Sequence, residues 1–184
     1  HILYTKRYLS QLLEIEPNAL NLDFEPDTFG HSVNVPEVLA QGGVKYYYHC
    51  RGDAGHYLQR WVAPSGRSII VYREPFWYNA SIEPEMAMYV PEFCEQHGLN
   101  CALKVYGVGD HGGGPTRRDI EKIVDMNSWP VFPKLEFGTY QEFFAAVEQV
   151  KDRLPEVRDE RNFVFTGCYT SQTRIKAANR MGEA

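Results

Sequence analysis

Two aspartates stand where a carboxylate could react and not merely be solvated. Asp27 follows the alternating run Leu20, Leu22, Phe24, which reads as a buried strand stopped by Glu25-Pro26, since proline cannot donate to a ladder. Thr28-Phe-Gly-His31 comes next, where a strand end would hand over to a helix. Asp110 sits in Gly107-Val-Gly-Asp-His-Gly-Gly-Gly-Pro-Thr116, behind the apolar run Ala102, Leu103, Val105. Glycines at that density let a backbone approach a ligand closely. Two carboxylates facing one cleft are the apparatus of glycosidic bond cleavage: one attacks or activates water, the other protonates the leaving oxygen. A plainer reading is open as well, with Asp27 capping its turn and Asp110 steadying a tight glycine loop.

The neighbours of these acids widen the chemistry. Of the histidines at 1, 31, 49, 56, 97 and 111, none forms His-x-x-x-His or His-x-Asp; His31 and His111 stand out because each lies beside a candidate acid. A metal held by carboxylate and histidine is compatible with this but is not indicated by the spacing. Phe76, Trp77 and Tyr78, with Trp61, could stack on a sugar ring or fill a core. The glycine loop lacks the Gly-Lys-Ser/Thr ending of a phosphate loop. Gly107, Gly109 and Gly112 match a dinucleotide spacing, but Pro115 and the lack of a suitably placed ribose-binding acid argue against it.

Elements able to position these residues follow from periodicity and punctuation. Helical spacing covers 2–15; Pro36 opens a short helix that Gly42-Gly43 ends; Val44–His49 is a tyrosine-rich strand. Residues 57–63 and 68–72 around Pro64-Ser-Gly-Arg67 form a hairpin, read as an insertion in a β/α alternation. A helix over 83–97 contains Pro91, which predicts a kink. Strands are expected at 100–106, 130–137 and 161–166. Thr116 with Asp119, and Thr139 with Glu142, are capping boxes for two helices, and 171–183 is a Lys/Arg-rich helix. The class is α/β with a largely parallel sheet. At 184 residues the chain holds about half of a closed barrel.

Composition excludes some partners. A net charge of −5 without a Lys/Arg run argues against nucleic acid or an anionic membrane, and no apolar stretch nears the roughly 18 residues of a span. Four cysteines without a Cys-x-x-Cys pair fit a reducing, cytoplasmic setting. The chain opens without Met inside a helical pattern and stops inside another. It is therefore expected to be a piece of a larger protein; a homo-oligomer is compatible with everything above.

Five blocks, in order, resemble glycoside hydrolase family 38, the α-mannosidases, over nearly the whole chain. They are Pro26-Asp-Thr-Phe-Gly-His-Ser32 with Pro36 and Gly42-Gly-Val-Lys-Tyr46, then Gly109-Asp-His-Gly-Gly-Gly-Pro-Thr116. Leu135-Glu-Phe-Gly-Thr139 before Phe143-Phe144 follows, then Gly167-Cys-Tyr-Thr-Ser-Gln172 with Lys176, Asn179, Arg180 and Glu183. The resemblance implies a retaining α-mannosidase acting on α-mannosides, with Asp27 as nucleophile and ligand of a catalytic zinc and Asp110 as general acid/base. Phe29, His31, Trp77, Tyr78, His111 and Tyr169 are the expected substrate-binding set. It also implies a barrel-like catalytic domain over 1–166, with 167–184 opening a three-helix bundle. The family pattern places a His-x-Asp pair on an early strand and a histidine shortly before the Gly167 block; this chain has neither, and Asn162-Phe-Val-Phe-Thr166 occupies the second place. The other zinc ligands are then Cys168, residues outside this chain, or a different metal arrangement. A metal-dependent deacetylase or amidohydrolase on a related barrel and a non-catalytic carbohydrate-binding piece are the alternatives. Released acetate or amine, against released mannose, separates the first of them from a mannosidase.

Overall fold

The computed structural model describes residues 1–52, 55–162, 165, 167 and 172–184. Its centre is a five-stranded sheet in the order β1-β2-β4-β3-β5. β1 (Leu22–Glu25), β2 (Tyr46–His49) and β4 (Ser68–Arg73) run parallel; β3 (Leu58–Val62) is antiparallel to β4, and β5 (Glu156–Val157) is parallel to β3. The expected hairpin forms, with the Ala63 N–H donating to Arg67 at 2.8 Å. It is not an insertion, however. β4 takes the third parallel place beside β2, because Ile69, Ile70, Val71 and Tyr72 are all buried and suit a strand covered on both faces.

Helices cover both faces. Between β1 and β2 lies α2 (Val35–Gln41), with Pro36 in its first turn. Leu39 of α2 packs with Val44, Tyr47, Trp61, Ile69 and Val71 on one face. On the other, Tyr46, Tyr48, Ile70 and Tyr72 meet Phe93 of α3 (Met86–His97) and Phe143, Phe144 and Val147 of α5 (Tyr140–Glu148). The strand alternation assigns these faces, since successive side chains point opposite ways. Phe144 is fully buried and stacks on Tyr46 at 4.4 Å; truncating it to alanine would cost about 3–5 kcal/mol. α4 (Arg117–Met126) joins α3 through Ile82, Met86, Ile123 and Met126. Both capping boxes close as expected, Thr116 with Asp119 and Thr139 with Glu142.

The ends of the chain are helices α1 (Ile2–Leu13) and α6 (Thr173–Glu183). α1 turns Lys6 inward, where its Nζ donates to the Gly43 carbonyl at 3.0 Å, and leaves Leu3, Tyr4, Tyr8, Leu12 and Leu13 exposed. Among the described residues, no helix is long and apolar enough to cross a membrane.

Two expected strands do not form ladders. Residues 100–106 pass over the sheet face without ladder pairing, where Tyr72 donates to the Leu103 carbonyl at 2.7 Å. Their apolar alternation reflects packing against that face, not strand pairing. Residues 130–137 form a loop: Pro130 and Pro133 remove donors, and the Asn127 amide takes both backbone groups of Leu135, at 2.9 and 2.8 Å. The expected strand at 161–166 retains a bridge from Arg161 to His31, and Phe163, Val164 and Thr166 lie outside the described residues.

Candidate active site

Parallel register builds the site. Glu25 is level with His49, and His49 with Arg73, so β1, β2 and β4 end side by side. Asp27 and Arg51 each stand two residues beyond their strands, and the Cys50 N–H continues the ladder to the Pro26 carbonyl at 3.2 Å. Arg51 Nε consequently donates to Asp27 Oδ1 as a close ion pair. The guanidinium is held in an aromatic slot, 5.1 Å from the Phe29 ring, 4.9 Å from Trp77 and 5.9 Å from Phe165. Stacking of this kind suits arginine, whose weakly hydrated planar cation packs on rings while its edge still donates. His49 fixes the backbone behind it: Nδ1 is 2.6 Å from the Arg51 carbonyl, and Nε2 is 3.4 Å from Arg161 Nη1. Donation from Nδ1 leaves Nε2 as the acceptor, so the ring is neutral. Burial, then the Arg161 charge, pulls its pKa down to about 3.

Tyr78 supplies the second grip on Asp27. Its hydroxyl donates to Oδ2 at 3.2 Å. Burial, then the Asp110 and Asp27 carboxylates, push its pKa up to about 12, so the phenol is neutral. The glycine loop that carries Asp110 packs directly against the Tyr78 ring, with Gly109 at φ 66°. Asp110 itself is 63% exposed, and His111 Nε2 lies 3.7 Å from its Oδ1. On the far side of Asp27, Gly30 passes so close to residue 161 that a Cβ would fall 1.9 Å from the Arg161 carbonyl oxygen. Only glycine permits that approach.

The expected residues are thus sorted. Asp27, Phe29, Trp77, Tyr78, Asp110 and His111 cluster at the strand ends. Trp77 and Phe29 hold Arg51, and Tyr78 donates to Asp27. His31 goes elsewhere: its ring packs edge-on to Tyr47 at 5.6 Å, its backbone pairs with Arg161, and burial lowers its pKa. Trp61 is fully buried, with Nε1 donating to the Asp159 carbonyl at 3.0 Å, and is a core residue. Tyr169 and Cys168 lie outside the described residues. Arg51 escaped the reading of the sequence. Its signal was the shared offset, two places beyond β2 as Asp27 is two beyond β1.

The description "Glycosyl hydrolases family 38 N-terminal domain" matches residues 1–167. The chain belongs to glycosyl hydrolase family 38. Over 169 residues this family 38 chain is 30% identical to "Alpha-mannosidase G" of Dictyostelium discoideum, covering 87% of the chain and 16% of the relative. It is 24% identical over 165 residues to "Alpha-mannosidase 2C1" of Homo sapiens, covering 84% of the chain and 16% of that protein. Among solved structures, an alpha-mannosidase from Enterococcus faecalis V583 matches with a TM-score of 0.60 and 25% identity, over 83% of this chain and 19% of that one. The chain spans about one sixth of the length of the curated relatives it matches.

The family resemblance implied zinc on Asp27. Among the described residues of this family 38 chain, no three His, Cys, Asp or Glu side chains converge as a metal site. The Asp27 oxygens face Arg51 and Tyr78. A tetrahedral zinc needs three or four protein donors, and the residues described here offer one.

Proposed function

We propose that the full-length protein is a retaining α-mannosidase, that Asp27 is its nucleophile, and that Asp110 is its general acid/base. The observation that carries this is the pair of hydrogen bonds that Arg51 and Tyr78 donate to Asp27, with the Asp110 glycine loop packed against the Tyr78 ring. An aimed carboxylate with a second acid on a neighbouring loop suits a retaining enzyme, in which the first attacks the anomeric carbon and the second serves the leaving oxygen.

Each residue then has a definite task. Arg51 and Tyr78 hold the two Asp27 oxygens, leaving a nucleophile aimed by two hydrogen bonds. Asp110 delivers a proton to the leaving oxygen as Asp27 attacks the anomeric carbon, then takes a proton from the water that releases the sugar. Trp77 and Phe29 set the wall of the cleft through Arg51. We place the end of the catalytic domain near residue 166, in keeping with a family match that stops at 167, and read the five strands as part of a barrel that residues beyond this chain complete.

A fluorinated mannosyl fluoride, slow to hydrolyse, is the test on the full-length protein. Peptide mapping should find the sugar ester on Asp27, and mannose released from an aryl α-mannoside should keep the α configuration by proton NMR. A label on another residue, or a β product, overturns the assignment.

A further inference from the structure

We propose that Arg161 is a positioning residue for the nucleophile. It closes a ring of contacts through Asp27, Arg51, His49, Arg161 and His31 that holds both partners of the Asp27–Arg51 ion pair from behind. This rests on the glycosidase reading above.

Each link of the ring is a hydrogen bond or a short run of chain. At the front, Arg51 Nε donates to Asp27 Oδ1. Behind Arg51, its carbonyl lies 2.6 Å from His49 Nδ1, and His49 Nε2 lies 3.4 Å from Arg161 Nη1. Arg161 and His31 then exchange two backbone hydrogen bonds, each at 2.8 Å, and His31 stands four residues after Asp27. Arg161 thus serves both strand-end loops. Its main chain holds the one after β1, and its side chain holds the one after β2.

The side chain is placed for this task. Arg161 is only 2% exposed, and a guanidinium is costly to bury for packing alone. Its central carbon lies 4.8 Å from the centre of the Trp61 ring, and Trp61 is itself fully buried on β3 and anchored to the Asp159 carbonyl at 3.0 Å. That rigid wall aims the guanidinium at His49. Donation to Nε2 selects the tautomer whose Nδ1 carries the proton, the form that the Arg51 carbonyl requires. An apolar side chain of the same size would fill the space and leave the tautomer unset. On the main-chain side, the close pass of Gly30 over the Arg161 carbonyl keeps the Asp27 loop from shifting.

The test uses the full-length protein carrying Arg161→Met or Arg161→Lys, each alone and combined with Arg51→Lys. The probe is the fluorinated mannosyl fluoride, whose labelling rate reads attack by Asp27, with amide hydrogen exchange alongside. Arg161→Met should slow labelling about tenfold at an unchanged inhibitor constant. In the Arg51→Lys background the further loss should stay within about twofold, because the ring is already open there. Arg161→Lys keeps the charge and the main-chain bridge but loses the planar stack and reach; it should slow labelling about fivefold and carries the same test where the methionine variant fails to fold. In either variant, exchange at 28–31 and 49–51 should rise about tenfold while β4 amides stay protected. Labelling within a factor of two of wild type in a folded Arg161→Met protein, or in Arg161→Lys where that alone folds, overturns the proposal. So does a full additive loss in the Arg51→Lys background, which marks a residue that only stabilises the fold. Were the wild-type protein to carry no label on Asp27, the nucleophile assignment would fall instead. Exchange would then decide the ring, and unchanged rates at 28–31 and 49–51 would overturn it.

Discussion

Gly109 lies so close to Tyr78 that a Cβ on it would sit 3.1 Å from Tyr78 Cε2 and 2.7 Å from the Asn79 Cβ. Its φ of 66° is also strained for any L side chain. Gly109→Ala should therefore lift the Asp110 loop off Tyr78 at a local cost of about 1–2 kcal/mol. Activity on a poor leaving group should drop about tenfold or more, with the core intact by near-ultraviolet circular dichroism. Full activity in the alanine variant would show that the contact does not place Asp110.

Asp27→Asn removes the attacking charge and keeps the shape. The kcat on an aryl α-mannoside should fall below about one per cent of wild type. Retention of more than a few per cent would rule Asp27 out as nucleophile.

Asp110→Ala should separate substrates by leaving group. Loss of general acid help is worth about 10²- to 10⁴-fold where the departing oxygen needs a proton, and far less where it does not. Equal losses would remove Asp110 from that role.

Arg51→Lys keeps the charge and loses both the planar stack on Trp77 and Phe29 and the directed Nε donor. A charge-assisted hydrogen bond is worth about 1.5–3 kcal/mol, so kcat/KM should fall about 10- to 100-fold. A variant within a factor of two would mean the ion pair does not orient Asp27.

Acid should loosen the strand ends through His49. Its pKa falls from the ordinary 6.5 to about 3 on folding because burial disfavours the cation. Between those values the unfolded chain binds more protons than the folded one, so stability rises with pH across this window. This contribution is complete above about pH 6.5 and is lost progressively as pH falls toward 3. His49→Gln should flatten that limb in denaturant midpoints measured from pH 7 to pH 4. An unchanged slope would place the titration elsewhere.

Much of this was legible in the residues because its causes are local. Both capping boxes close within four residues, Pro26 ends β1, and Gly98 ends α3. The hydrophobic periods of 3.6 and 2 placed most helices and the central strands, and the spacing of the acids with their glycine and aromatic neighbours singled out Asp27 and Asp110. The ordered blocks supplied the family. Where alternation misled, at 100–106, the apolar residues pack on a sheet face without pairing, and periodicity is blind to that difference.

The tertiary structure decided what those residues touch. Asp27 meets Arg51 across 24 positions and Tyr78 across 51, distances over which no turn, cap or period carries information. Three parallel strands ending level brought Asp27 and Arg51 together and turned His31 toward Tyr47, and the loop after β4 brought the Tyr78 hydroxyl to the second Asp27 oxygen. The carboxylates belong to the sequence; the hydroxyl and the cation that hold Asp27 come from the register of the sheet.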